Sequence, residues 1–485
     1  MSYNESDEVA VRSRHANRRD HALRTGEPAG SRPVKDTRHL KSFPPELDDR
    51  SALPAVTRGS TAPAPAALPA RPVVLVSMDW IRPGDPRFGL GTASIASALR
   101  GAGVEVRVVA DAVNRPGFRA DAFFAQVLGA IDAAGTDVLV GIGAFVWCED
   151  EVQGLLNVLG DRAEIVLGGP QISYTAAGEL EPLYPGATYF VRGHGEAAMI
   201  ALATGSAENG AAGLHVARAD DLAGRADYPL ESLPSPHLDG TSPIGAFVRW
   251  ETQRGCQFRC TFCQHRQPGA RLRRSELGTG RMQAEIAAFR EAGTQRIAVL
   301  DPIFNTNRSR AIALLEDMRC IGLAAELSLQ CRFELTDTAF LDALEGLDVK
   351  LEFGLQTIHD DEARAVGRPN RMDRVADVIA DLNDRRIPYE ISLIYGLPLQ
   401  TLERFRASVG WCLDRGVPRV RAWPLMLLRG TALYTERDRW GYVESDAGRI
   451  PIVVESHSFS REEHAEMARI AESLESADGA QRSVA

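Results

Sequence analysis

The chain has no apolar run approaching the roughly 18 residues that a membrane span needs. Its opening stretch, MSYNESDEVAVRSRHANRRD, lacks the apolar core of a secretory signal. Membrane and exported readings are disfavoured and a cytoplasmic one is favoured. Cysteine is scarce. Seven in 485 residues is an odd count, not spread as the disulfide framework of a small secreted chain. In a reducing compartment, cysteines that do cluster are read as metal or redox chemistry. Positive charge is short as well, with Lys+Arg 55 against Asp+Glu 65 and a net charge of -10. Residues 1–72 carry 12 basic and 9 acidic residues, a net of +3, which leaves -13 for the rest. An acidic body is a poor general binder of nucleic acid, whose affinity comes mainly from basic groups on phosphates. It suits small or cationic ligands better.

What is present is ordinary globular material, 44% hydrophobic and 25% charged, long enough for two or three domains. Residues 1–72 are rich in Arg, Pro, Ala and Ser and keep no sustained period of 2 or 3.6. They bury too little apolar surface to offset the entropy of ordering and read as a disordered arm. A basic docking role is the alternative. From Val73 the texture changes. VVLVSM (73–78), VEVRVVAD (104–111), DVLVGIGAF (137–145), EIVLGGP (164–170) and YFVRG (189–193) are strand runs. Helical patterns at 89–103, 120–134 and 150–159 separate them. This alternation predicts a parallel, doubly wound Rossmann-like domain over 73–215. Residues 216–245 read as a Gly-, Pro- and Asp-rich linker.

A second α/β series covers 246–430. Its strands are FVRWE (247–251), RIAVLD (296–301), ELSLQC (326–331), KLEFGLQ (350–356), YEISLIYG (389–396) and VRAWPLM (420–426). Helices are expected at 276–292, 307–321, 338–346, 371–385 and 401–415. Six strand–helix steps fit a partial (β/α)6 TIM-type barrel, whose chemistry belongs at the C-terminal ends of its strands. The short tail, 431–485, carries one amphipathic helix near 460–475, opened by Ser460 and Glu463 as a capping box.

The informative stretch is RGCQFRCTFCQH, 254–265, just after the first barrel strand. Cys256, Cys260 and Cys263 are spaced C-x3-C-x2-C. Four thiolates are the usual way to hold a [4Fe–4S] cluster. Three leave one iron open, as a cluster that binds a substrate requires. Three cysteines with His265 also suit a structural zinc site, and inert thiols clustered by chance are the third reading. Spacing and the barrel-mouth position favour iron–sulfur. Cys148, Cys320, Cys331 and Cys412 read as ordinary buried residues.

At this point the sequence resembles the radical SAM superfamily. Its C-x3-C-x-aromatic-C motif matches at Cys256, Cys260, Phe262 and Cys263. The resemblance implies a [4Fe–4S] cluster whose open iron binds the amino and carboxylate groups of S-adenosylmethionine (SAM). Reduction by one electron then yields a 5′-deoxyadenosyl radical that takes hydrogen from a substrate. It also implies a flavodoxin- or ferredoxin-type reductant. The barrel's task is positional: to hold the substrate in reach and to exclude water. Further matches place Phe262 near the adenine, Glu352 and Gln356 of KLEFGLQT at the ribose or amino-acid part, and Arg332 at the SAM carboxylate. Ser392 and Ile394 of ISLIYGLPLQT flank the adenine. Asp301 in LDPIFN faces SAM or substrate.

Residues 73–210 resemble the B12-binding-like domain fused to many members, through SMDWIRPGDPRFGLGTASIASAL, LGGPQ and VRGHGE. A fold match does not establish cobalamin. The D-x-H-x-x-G signature is absent, and only 55 residues follow the barrel, where methylases of this architecture commonly carry more. The reading therefore leans against cobalamin and methyl transfer. The best fit among such families is the radical SAM diol dehydratases of aminoglycoside biosynthesis, as in the apramycin pathway. Such an enzyme would dehydrate a vicinal diol on a small amino sugar and hand its product to a downstream dehydrogenase. In that reading Asp301, Glu352 or Asp79 binds ammonium groups, and Tyr395, His265 or Tyr389 moves a proton. Asp79 and Trp80, with Arg82 and Asp85, line the first domain's crevice. His194 and Glu196 in RGHGE cap the next helix or line the interface with the barrel. The alternatives are a cobalamin-dependent radical SAM methyltransferase, an RNA-modifying radical enzyme, disfavoured by the acidic body, and a non-enzymatic zinc protein.

Overall fold

Two stretches of alternating strand and helix build two sheets of different winding. The computed structural model describes residues 70–81, 89–226, 229–265, 275–445 and 448–482, with the side chains of 476–482 excepted. Most of the N-terminal arm, and Arg82 and Asp85 in the 82–88 loop, lie outside the described residues.

The first sheet comprises β1 (Val73–Asp79), β2 (Val106–Ala112), β3 (Leu139–Gly143), β4 (Glu164–Gly168), β5 (Tyr189–Val191) and β6 (Leu214–Val216). Their order is β2-β1-β3-β4-β5-β6. All neighbours are parallel except β5 and β6. The connecting helices are α1 (Leu90–Gly101), α2 (Ala120–Ala134), α3 (Glu149–Leu159) and α4 (Glu196–Ala203). The order reverses beside β1, so helices lie on both faces and a crevice opens there. Strand alternation then sorts the core in two. Val74, Val76, Ile142 and Leu167 pack with Phe123 and Leu155 on one face. Val73, Leu75, Leu139 and Val166 pack with Leu99 and Met199 on the other.

The stretch read as a linker stays tied to this sheet. The β6 strand, absent from the sequence reading, pairs antiparallel with β5. Ala226 bridges Gly193, and the buried Arg192 guanidinium grips Asp221 at 2.7 and 2.8 Å. Desolvation raises the Asp221 carboxyl, but Arg192 and the N–H groups of Gly178 and Ala223 outweigh it and hold it well below the ordinary range.

The second sheet runs β7 (Phe247–Trp250), β8 (Arg296–Val299), β9 (Glu326–Cys331), β10 (Val349–Gln356), β11 (Tyr389–Tyr395) and β12 (Val420–Pro424). Spatial order follows chain order, and every neighbour is parallel. Helices α5 (Thr279–Glu291), α6 (Arg308–Ile321), α7 (Thr338–Ala343), α8 (Met372–Arg385) and α9 (Leu402–Asp414) connect the strands. Sequential order with crossovers of one hand puts these helices on one face and leaves the other as a lumen. Burial along β10 shows it: Val349, Leu351, Phe353 and Leu355 are buried, while Lys350, Glu352, Gly354 and Gln356 are half-buried. This is the expected partial barrel, with β7 and β12 unpaired as edges among the described residues. Both sheets fall within one compact unit.

Beyond the barrel, Val443–Glu444 and Val453–Glu455 form an antiparallel ribbon, and α10 (Arg461–Arg482) closes the chain. The capping box is present: Ser460 N–H donates to Glu463 Oε2 at 2.9 Å, and Glu463 N–H to Ser460 Oγ at 3.3 Å. No helix among the described residues is long and apolar enough to cross a membrane.

Candidate active site at the barrel mouth

The β7 strand ends at Trp250, and the chain turns into the cysteine loop through a short stem, Gln253–Arg254. Gly255 follows at φ +90°, a backbone region that side chains disfavour. Cys256, Cys260 and Cys263 are free and half-buried on this loop. The loop is anchored at several points. Thr261 N–H donates to the Val366 carbonyl at 3.0 Å, and Leu433 N–H to the Thr261 carbonyl at 3.1 Å. The Gln264 side chain donates to the Arg429 carbonyl at 2.9 Å. Burial pushes the Cys256 thiol up, and that of Cys263 up to about 11.

Two guanidinium groups stand over the loop. Arg332, buried after β9, lies 3.8 Å above the Phe258 ring and donates from Nε to Glu334 at 3.1 Å. Arg368 donates to Cys260 Sγ at 3.7 Å and also to the Gly354 carbonyl. A Cβ on Gly354 would lie 2.5 Å from Gln356 Nε2 and 3.2 Å from Arg368 Nη2, so a side chain there would require Gln356 and Arg368 to shift. Gln356 itself has φ +72°, and its buried Oε1 has no hydrogen-bond partner. A strained residue with an unsatisfied acceptor at a strand's C-terminal end has the character of a ligand site.

The donor set fits an iron–sulfur cluster with SAM. Three thiols share one loop, two cations stand beside them to balance anionic sulfur and carboxylate, and Gln356 offers a free amide oxygen. A single zinc ion fits less well. Among the described residues no three Cys, His, Asp or Glu side chains converge as one ion requires. His265 is exposed and reaches Cys263 Sγ through its backbone N–H, at 3.4 Å.

The other expected residues divide. Glu352, Gln356, Ser392 and Ile394 lie on the half-buried lumen face of β10 and β11, with Ser328 Oγ donating to Glu352. Phe262 is half-buried against the barrel core. Asp79 and Trp80 sit at the crevice end of β1. There Asp79 is buried with Ser77 Oγ at 3.4 Å, and Trp80 packs on the first domain's core.

Four expected residues need correction. Asp301 does not face a ligand: it has no exposed surface, and its carboxylate accepts Thr252 N–H at 2.7 Å, Thr252 Oγ1 at 2.5 Å and Gln253 N–H at 3.0 Å. It pins the stem of the cysteine loop. Tyr395 points away from the lumen, between Phe405 and His464, and burial pushes its phenol up to about 12. Tyr389 likewise packs outside and donates to Asn383 Oδ1 at 2.9 Å. Neither tyrosine is placed to move a substrate proton. Cys320, read as buried, is exposed. The sequence reading missed Arg368 and Arg254. Arg254 stands two residues ahead of Cys256, and that adjacency was a usable signal; for Arg368 nothing local was.

Residues 250–412 match the family model of the Radical SAM superfamily. An uncharacterized methyltransferase of Pyrococcus horikoshii is 23% identical over 342 residues, 66% of this chain and 72% of the relative. The cobalamin-dependent radical SAM methyltransferase TokK of Streptomyces tokunonensis is 26% identical over 206 residues, 39% of this chain and 30% of the relative. The radical SAM methyltransferase TsrM from Kitasatospora setae, solved with tryptophan and a SAM analogue, superposes with TM-score 0.63 at 18% identity. That match covers 78% of this chain and 79% of TsrM, and so shares the fold across both sheets. These names do not support the diol dehydratase or the leaning against cobalamin. The length argument behind that leaning fails, because most of one methyltransferase's chain is matched within this one. With the family match running from the end of β7 through α9, and three half-buried cysteines at the mouth that β7 opens, the barrel of this chain carries a domain of the Radical SAM superfamily, preceded by a Rossmann-like domain.

Proposed function

We propose that this protein is a cobalamin-dependent radical SAM methyltransferase acting on a small polar molecule. The observation that carries the proposal is the fold shared with TsrM over both the Rossmann-like sheet and the barrel. A second TsrM structure has cobalamin and a [4Fe–4S] cluster bound. The name of TokK, a sequence relative, points the same way.

When bound, the cluster, SAM and a corrinoid supply one-electron chemistry and a transferable methyl group. This chain's residues do the rest. Cys256, Cys260 and Cys263 ligate the cluster. Arg332 and Arg368 place positive charge beside it, and Arg332 pairs the SAM carboxylate. Gln356 and Glu352 receive the amino-acid and ribose groups on the lumen face, and Ser392 and Ile394 flank the adenine. The crevice end of β1, with Asp79 and Trp80, faces the corrinoid. The walls of β8 to β12 keep water from the reacting centre. A flavodoxin- or ferredoxin-type protein supplies electrons.

The test is anaerobic reconstitution with iron, sulfide and hydroxocobalamin. We expect the protein to retain corrinoid through gel filtration. With reductant and SAM it should form S-adenosylhomocysteine in a cobalamin-dependent way. No corrinoid uptake, with 5′-deoxyadenosine as the sole SAM product besides methionine, would overturn the proposal.

A further inference from the structure

We propose that Arg254 and Glu196 form a strut that makes the N-terminal domain part of the frame of the cysteine loop, so that cluster retention depends on a residue of the first domain. The proposal rests on the reading that Cys256, Cys260 and Cys263 hold a cluster.

Arg254 ends the stem, next to Gly255 at φ +90°. Its side chain is 10% exposed. Nε donates to Glu251 Oε2 at 2.9 Å, within the barrel domain. Nη2 donates at 2.9 Å to Glu196 Oε1, in the first turn of α4. Ser94 Oγ, on α1, donates to the same oxygen at 3.1 Å. The guanidinium is thus held by one carboxylate from each domain. From the other side Asp301 fixes the backbone of Thr252 and Gln253. The residues before Gly255 are therefore clamped between two domains, and the clamp sets where Cys256 begins.

The pair has little else to lean on. Arg254 Nη1 and Glu196 Oε2 are buried with no hydrogen-bond partner. Taking away Arg254 leaves the buried Glu196 carboxylate without its cation, and taking away Glu196 leaves Arg254 with Glu251 alone, in a seam where attraction is strong and desolvation costly. Both partner helices start at the crevice end of the first sheet, α1 after β1 and α4 after β5. A ligand that shifts those helix starts shifts Arg254 and the cysteine loop. By linkage, an occupied cysteine loop must favour the same helix position.

The test compares Glu196→Gln, Arg254→Met and the double variant in full-length reconstituted protein. Iron loss to a chelator and the electron paramagnetic resonance spectrum of the reduced cluster, with and without SAM, are followed. Glu196→Gln should speed iron loss roughly tenfold, about what the loss of one charge-assisted hydrogen bond corresponds to, and should alter the spectrum. The double variant should add little to Arg254→Met, because the two act as one unit. Circular dichroism reports folding. Ser97→Ala is the control, since it removes a bond from α1 to Asp239 ahead of the barrel and leaves Arg254 untouched. Equal acceleration by Ser97→Ala, or a wild-type rate and spectrum for Glu196→Gln, would overturn the strut. Wild-type protein that binds no iron and sulfide would instead refute the cluster reading on which it stands.

Discussion

Replacing Asp301 separates a positioning role from a ligand-binding one. The carboxylate is wholly buried and accepts three hydrogen bonds, two from backbone N–H groups and one from Thr252 Oγ1. Asp301→Ala strands both N–H groups in a dry site at about 1–3 kcal/mol each. The Thr252 hydroxyl, which already accepts from Arg310 Nη1 at 3.2 Å, also loses its acceptor. The two N–H groups alone sum to about 2–6 kcal/mol, a large part of a typical fold's roughly 5–15 kcal/mol. Asp301→Asn keeps one oxygen for the two N–H groups but turns an amide toward Thr252. It loses one charge-assisted bond, about 2 kcal/mol. Urea denaturation of the anaerobic apo-protein, followed by circular dichroism, should rank Ala below Asn below wild type. Both variants should lose iron faster after reconstitution, because the stem of the cysteine loop is loosened. An Asp301→Ala protein with the wild-type urea midpoint and a large loss of SAM affinity would show that Asp301 faces the ligand, and the reasoning would be wrong.

Three further outcomes follow from the geometry. Tyr395→Phe should leave SAM cleavage at the wild-type rate, measured as product formed per cluster; loss of a general acid or base would instead cost about 10²–10⁴-fold. Gln356→Gly should avoid the roughly 0.5–1 kcal/mol that glycine costs within a strand, because it relieves the left-handed backbone at φ +72°. Its SAM affinity in equilibrium dialysis should nonetheless fall with loss of the unpaired amide oxygen. Asp221 is held below its ordinary carboxyl pKa of about 3.9. Its stabilisation is therefore fully present above that value and is lost as pH falls through the lower folded one. Wild type should exceed Asp221→Asn in thermal stability at pH 7, with the gap narrowing below about pH 4.

The sequence by itself determined the elements and marked the candidate centre of the chemistry. Apolar strand runs, helical spacing and turn glycines act over a few residues, so the eleven strands read from sequence and the helices between them appear where expected. The C-x3-C-x2-C spacing is also local, and it pointed to the candidate site. Strand parity is local as well. Ser392 and Ile394 share a phase and Tyr395 lies out of it, so alternation along the strand alone directs that tyrosine away from the lumen. The tertiary structure alone decided which polar groups meet. Asp301 reaches Thr252 across 49 positions, Arg368 reaches Cys260 across 108, and Arg254 reaches Glu196 across 58. No pattern within one element encodes such pairs. They arise when two sheets and their loops are packed, and packing turned a supposed catalytic aspartate into a pin and an unremarked arginine into a contact between domains.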